Sequence, residues 1–140
     1  MKKFRIAIIL LSLVTGLSAI VFINTAYIVP VIMYHAIDYN DQVTKLSVNP
    51  ESFARQMEFL YKNKYNVISL EKLVEHSKNK DRIPPKTIVI TFDDGLYSNY
   101  QYAYPVLKRL NIQATIFIIV EKIGQSGYLG WKEIKEMSDS

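Results

Sequence analysis

Two acidic residues stand side by side at the end of an apolar segment. The run from Thr87 to Phe92 is followed at once by Asp93-Asp94-Gly95. Burying an unpaired carboxylate costs several kcal/mol, so the pair is not expected to serve packing. In folds with parallel strands, sites are built at the carboxyl ends of the strands. One carboxylate can therefore hold a metal ion while the other takes a proton from metal-bound water, which is the chemistry of metal-assisted hydrolysis.

The same three residues have plainer interpretations. Adjacent strand residues point to opposite faces, so Asp93 and Asp94 serve one site only if the chain leaves the pleat, which Gly95 permits. Asp-Asp-Gly is also an ordinary strand-to-helix turn with an aspartate as the cap, and spacing alone leaves both interpretations open. Phosphoryl transfer onto an aspartate is a third class, but haloacid-dehalogenase-like enzymes separate their two acids by one residue.

The elements around this motif alternate between strand and helix patterns. Apolar, β-branched runs predict strands at residues 28–34, 66–69, 87–92 and 114–119. A first helix is predicted to begin at Asn49-Pro50-Glu51, and its inner face holds Phe53, Met57, Leu60 and Tyr61. A second is predicted from Ser69 to about Ser77. Two more are predicted over Tyr97–Leu110, with an interruption at Pro105, and from Trp131 onward. Apolar strands separated by helices indicate a parallel sheet covered by helices, either an α/β barrel or a doubly wound sheet.

The amino terminus has the pattern of a targeting segment. Lys2, Lys3 and Arg5 precede an uncharged apolar run, Ile6–Ile23. We expect residues 1–26 to be a signal peptide or an N-terminal membrane anchor and residues 27–140 to be one domain. The positive-inside rule then places that domain on the extracytoplasmic side of the cell membrane, or outside the cell if the signal is cleaved.

Composition excludes several classes of function. Three of the 17 Lys and Arg residues precede Ile6, and the remainder nearly balance the 13 Asp and Glu. The basic charge is therefore a targeting signal, and no nucleic-acid partner is expected. The chain has no cysteine, so disulfides and cysteine-ligated zinc are excluded and any metal must use oxygen and nitrogen ligands.

Several segments resemble one family of enzymes. Thr91-Phe92-Asp93-Asp94-Gly95 matches T-F-D-D-G, the first motif of the NodB-homology polysaccharide deacetylases, carbohydrate esterase family four. The segment from Pro30 to His35 resembles the opening P-V-L-x-Y-H strand of that family. Further agreement, in the order of the family, comes from Ala103–Lys108, Ala114–Phe117, Tyr128–Trp131 and Ile134–Met137.

This resemblance implies a fold and a set of roles. The implied fold is α/β, the N-terminal part of a distorted (β/α) barrel preceded by one N-terminal hydrophobic helix. Asp93 would be the general base and Asp94 a ligand of a divalent metal, with zinc expected. His35 would line the substrate site, with a hydrogen-bonded strand-end histidine as the alternative, and its neighbour Tyr34 is a second candidate. His76 is more simply a helix-end surface residue.

The expected activity is hydrolysis of an amide carbon–nitrogen bond. The resemblance implies removal of acetate from N-acetylglucosamine units of a glycan such as peptidoglycan, a chitin-like polymer or poly-N-acetylglucosamine. The second motif of the family, H-[ST]-x-x-H, supplies two metal ligands and is not found before Ser140. We therefore expect a domain truncated at its C-terminus with an incomplete metal site. The alternative function is that of a non-catalytic, membrane-tethered glycan-binding fragment.

Overall fold

A computed structural model describes residues 2–25, 28–39 and 46–139, with residues 2–3 and 19–25 described by their backbone alone. The predicted domain boundary between residues 26 and 27 lies outside the described residues, as does most of the loop that follows Asp38. The first element is a helix, α1 (Lys2–Thr25), whose described apolar side chains are exposed. In the described ranges, no helix combines the length and the apolar character needed to cross a membrane. The anchor at residues 6–23 stays a prediction.

The other elements are short strands and helices in alternation. In chain order they are β1 (Val31–Tyr34), β2 (Ala36–Ile37), β3 (Ser47–Val48), α2 (Pro50–Lys62), β4 (Asn66–Ile68), α3 (Leu70–Asn79), β5 (Thr87–Phe92), a π-helix (Asn99–Ala103), α4 (Tyr104–Leu110), β6 (Thr115–Ile116), a 3-10 helix (Val120–Lys122) and α5 (Trp131–Ser138).

Strand β5 is the centre of a four-stranded parallel sheet. It pairs with β1, β4 and β6, and all six of its residues are buried. Strands β2 and β3 form a separate parallel pair. The predicted α/β class with a parallel sheet is confirmed, and the predicted barrel stays a prediction.

Local signals explain where the helices begin. The Asn49 side chain accepts hydrogen bonds from the N–H groups of Glu51 at 3.0 Å and Ser52 at 3.4 Å, with Pro50 as the first helical residue of α2. Ser69 caps α3 in the same way, through the N–H of Lys72 at 3.2 Å. The predicted interruption at Pro105 is where the π-helix gives way to α4. These helix starts are confirmed.

The core lies between the sheet and α2. Phe53, Met57 and Leu60 of α2 pack with Ile88, Ile90 and Phe92, which share one face of β5. Tyr61 was predicted on the inner face and is 60% exposed, so that prediction is wrong. At ~100° per residue, Tyr61 lies ~80° around the helix from Phe53, outside the stripe that the sheet covers.

The strand lengths also differ from the predictions. The first strand begins at Val31 rather than at Ile28, which is 86% exposed, and β6 holds two residues of the predicted 114–119. The parallel pair of β2 and β3 was not predicted. A strand extends only as far as a neighbour supplies hydrogen bonds, and apolar composition does not report where the neighbour ends.

Candidate functional site

Asp93 and Asp94 lie at the carboxyl end of the central strand. The Asp93 N–H donates to the carbonyl of Tyr34 at 2.9 Å, so the sheet ladder continues one residue beyond Phe92. Asp93 therefore keeps the pleat, on the face of Thr91 and opposite that of Phe92. Asp94 and Gly95 then have φ values of 70° and 68°, which is the left-handed region. The chain leaves the pleat at this point, which is the condition for both carboxylates to serve one site.

Both carboxylates border one depression in the surface. Its volume is about 470 Å³, and its other walls are apolar apart from Thr91. The lining residues are Val31, Met33, Leu70, Thr91, Asp93, Asp94, Phe117, Ile118 and Ile119. An open, mostly apolar depression lined by two carboxylates can receive a small, partly apolar group.

The turn that carries the carboxylates is held from two sides. The Gly95 carbonyl accepts a hydrogen bond from the N–H of Leu129 at 2.9 Å, and Leu96 pairs with Tyr128 in an antiparallel bridge. On the other side, a Cβ at Gly95 would lie 3.3 Å from Cγ2 of Ile118. Glycine suits this position because any other residue would take a costly left-handed backbone angle and would also crowd Ile118.

His35 comes to the same strand end from β1. Tyr34 is in register with Phe92, so His35 stands beside Asp93. The His35 Nε2 lies 3.9 Å from Oδ2 of Asp93, and the two side chains are 21% and 28% exposed. Solvent reaches both groups, and the separation exceeds a direct hydrogen bond. Of the four predicted site residues, the structure brings together Asp93, Asp94 and His35 at this end of the sheet.

Tyr34 lies on the opposite face. It is 7% exposed, its ring packs against Phe53 and Phe92, and its hydroxyl donates to the Gln56 side chain on α2 at 2.7 Å. Burial raises the pKa of Tyr34 above its ordinary value. The structure does not bring this side chain to the carboxylates, because successive residues of β1 point to opposite sides.

Asn99, on the segment after β5, contacts the backbone of His35. Asn99 was not selected from the sequence, yet its Nδ2 donates to the His35 carbonyl at 2.9 Å. A lone asparagine four positions after Gly95 carries no pattern that would identify it.

His76 lies in the last turn of α3, where its Nδ1 is 3.7 Å from Oδ2 of Asp81. This is the helix-end position predicted for it.

In the described part of the chain, the donor atoms at the end of β5 are fewer than a catalytic metal needs. A catalytic zinc is normally held by three protein ligands and has one open position. Within residues 2–25, 28–39 and 46–139, no group of three or more His, Asp or Glu side chains is arranged to hold a metal ion. Asp94 can supply one oxygen ligand, but the described residues do not by themselves make up a catalytic zinc site.

Comparisons with known proteins agree on one family. The family model described as "Polysaccharide deacetylase" matches residues 80–140. The YxkH protein of Bacillus subtilis (strain 168), named for the polysaccharide deacetylases, is 38% identical over 110 residues, which are 78% of this chain and 38% of that protein. The poly-beta-1,6-N-acetyl-D-glucosamine N-deacetylase of Staphylococcus aureus (strain MSSA476) is 31% identical over 101 residues, 69% of this chain and 34% of that enzyme.

A solved structure shares the fold. The Streptococcus pyogenes deacetylase PplD, in complex with acetate, superposes with a TM-score of 0.73 at 31% identity, covering 79% of this chain and 52% of that one. The chain thus spans about a third to a half of the lengths of these three proteins.

Proposed function

Because the chain belongs to the polysaccharide deacetylase family, we propose that it contributes the catalytic base to the removal of acetate from N-acetylglucosamine units of a glycan. The observation that carries the proposal is the pair of carboxylates at the end of β5, beside an open depression and the His35 imidazole. The name of the staphylococcal relative supports poly-N-acetylglucosamine as the substrate class.

Asp93 is the general base of the proposed reaction. Its carboxylate takes a proton from the water that attacks the acetamide carbon. The carbon–nitrogen bond then breaks, so that acetate leaves and the sugar nitrogen becomes a free amine after gaining a proton. Asp93 suits this role because its side chain is 28% exposed and therefore reaches water, while its N–H is fixed in the sheet ladder.

Asp94 and His35 have the remaining roles in the proposed reaction. Asp94 is one ligand of a divalent cation, with zinc expected, and the other ligands come from outside the described residues. His35 lies at the rim of the substrate site. No step of the reaction is assigned to Tyr34, whose side chain is in the core.

The test is acetate release from N-acetylglucosamine oligomers by the protein expressed at the full length that its gene encodes. We expect Asp93→Asn to lower the rate by ~10²-fold or more, since general base catalysis contributes ~10²–10⁴-fold. A chelator should abolish the activity and added Zn²⁺ should restore it. Asp81→Asn is the matched control, because Asp81 is an exposed aspartate in the loop after α3. Full activity in Asp93→Asn would refute the base assignment.

We also propose that the N-terminal segment directs export and holds the domain on the extracytoplasmic side of the membrane. The proposal is supported by the three basic residues before Ile6 and by the apolar run that follows them. Protease added to intact cells should degrade the domain and leave cytoplasmic proteins intact. If the domain resists the protease in intact cells and is degraded only after the cells are lysed, export is contradicted.

A further inference from the structure

A buried asparagine follows the turn that carries the two carboxylates. Asn99 is 3% exposed and begins the π-helix. Its Nδ2 is bonded to the His35 carbonyl at 2.9 Å, and its Oδ1 is buried with no hydrogen-bond partner among the described residues. Buried amides are ordinarily satisfied at both ends, so filling space does not explain an amide at this position.

Residues at and after the end of β5 donate hydrogen bonds to two successive carbonyls at the end of β1, those of Tyr34 and His35. The Tyr34 carbonyl accepts from the Asp93 N–H at 2.9 Å, and the His35 carbonyl accepts from Asn99. The first bond belongs to the sheet ladder. The second holds the one residue between β1 and β2, which is part of neither strand. Asn99 therefore restrains the His35 peptide where the ladder does not.

The orientation of that peptide matters for the site. The imidazole it carries lies 3.9 Å from the Asp93 carboxylate, just beyond hydrogen-bond distance, so a small backbone rotation changes whether the two groups interact. π-Helical turns are rare and occur frequently at functional sites. Here the first residue of such a turn is the one that contacts His35.

We infer that Asn99 is a positioning residue. Its amide holds the His35 peptide and thereby fixes the orientation of the His35 imidazole relative to the Asp93 carboxylate. The role rests on the proposed function only insofar as Asp93 and His35 act in deacetylation. The positioning itself is a property of the fold and can be measured without turnover.

The test is histidine ring NMR on residues 1–140, whose two histidines are His35 and His76, so that His76 serves as an internal reference. We expect Asp93→Asn to shift the His35 ring signals and leave those of His76 in place. In an Asn99→Ala background the same substitution should shift the His35 signals by less than half as much. Asn99→Leu, which keeps a similar size but has no hydrogen-bond donor, should act alike and serves if Asn99→Ala does not fold.

Asn66→Ala is the matched control. The Asn66 Nδ2 also donates within the sheet, to the Thr87 hydroxyl at 3.0 Å, but at the opposite end of β5. We expect it to leave the response of His35 to Asp93→Asn unchanged. In the acetate assay, Asn99→Leu should lower kcat by about 10-fold with KM within about twofold, as is typical for residues that orient a functional side chain.

The two proposals fail separately. An unchanged response of His35 in a folded Asn99 variant overturns the positioning role, whatever the activity. Loss of that response in the Asn99 variants, together with full acetate release by Asp93→Asn, sustains the positioning role and removes the proposed reaction.

Discussion

Replacing Gly95 with alanine tests whether the turn after β5 sets the two carboxylates. Gly95 has φ +68°, and an added Cβ would lie 3.3 Å from Cγ2 and 3.4 Å from Cα of Ile118. The left-handed backbone costs an L-residue ~1–2 kcal/mol. The tight contact falls on the Cγ2 methyl of a β-branched side chain, which has little rotamer freedom to move aside, and such crowding costs ~1–3 kcal/mol. We expect Gly95→Ala to lower the free energy of unfolding by ~2–5 kcal/mol.

Gly124 offers a matched control for this substitution. Its φ is +78°, and a Cβ there would meet no atom within 4 Å. Gly124→Ala should therefore lose only the backbone contribution of ~1–2 kcal/mol. Urea denaturation followed by circular dichroism gives both values, and their difference measures the approach of Ile118. In the acetate assay, Gly95→Ala should lower the rate of acetate release ~10–100-fold because the carboxylates move, and Gly124→Ala should leave that rate unchanged. Equal losses of stability in the two variants would refute the reasoning.

Two further predictions concern the packing around the site. Phe53→Ala should lower the free energy of unfolding by ~3–5 kcal/mol, because Phe53 is fully buried and its ring meets two aromatic rings edge-on, with centroids 5.2 and 5.9 Å away. Phe59→Ala is the control and should cost less than ~1 kcal/mol, because Phe59 is 56% exposed. Similar urea midpoints for the two variants would contradict this prediction. The hydrogen bond to Glu136 raises the pKa of Tyr100 from its ordinary 10.0 to about 12, so this contact stabilises the fold below pH 10 and is lost as the pH rises to about 12. The tyrosinate absorbance of the folded protein should lose its latest-titrating component in Tyr100→Phe, and an unaltered titration curve would show that another tyrosine is responsible.

The position of the carboxylates could be predicted because its causes are local. An apolar run ended by Asp-Asp-Gly marks a strand end and a turn within nine residues of sequence, and the structure reproduces β5 and the left-handed turn. The caps at Asn49 and Ser69 are equally local, since a side chain there bonds N–H groups two or three positions ahead. Such contacts depend on few neighbours, so composition and order suffice to find them.

The contact between His35 and Asp93 required the tertiary structure. The sequence placed both residues at strand ends, but their separation of 3.9 Å follows from the register of β1 against β5. The same register sends Tyr34 into the core, although it adjoins His35 in the chain. Which face of a strand meets the site is decided by pairing with another strand, and that information is not local.

What the sequence determined by itself is the family, the central strand with its carboxylates, and the caps that start the helices. What only the tertiary structure decided is which side chains share a face, how far each strand extends, and that Asn99 reaches the peptide of His35 across 64 positions. The physical reason is the same in each case. Backbone propensity and capping act within a few residues, whereas pleat direction, strand length and buried hydrogen bonds depend on partners that folding brings from distant parts of the chain.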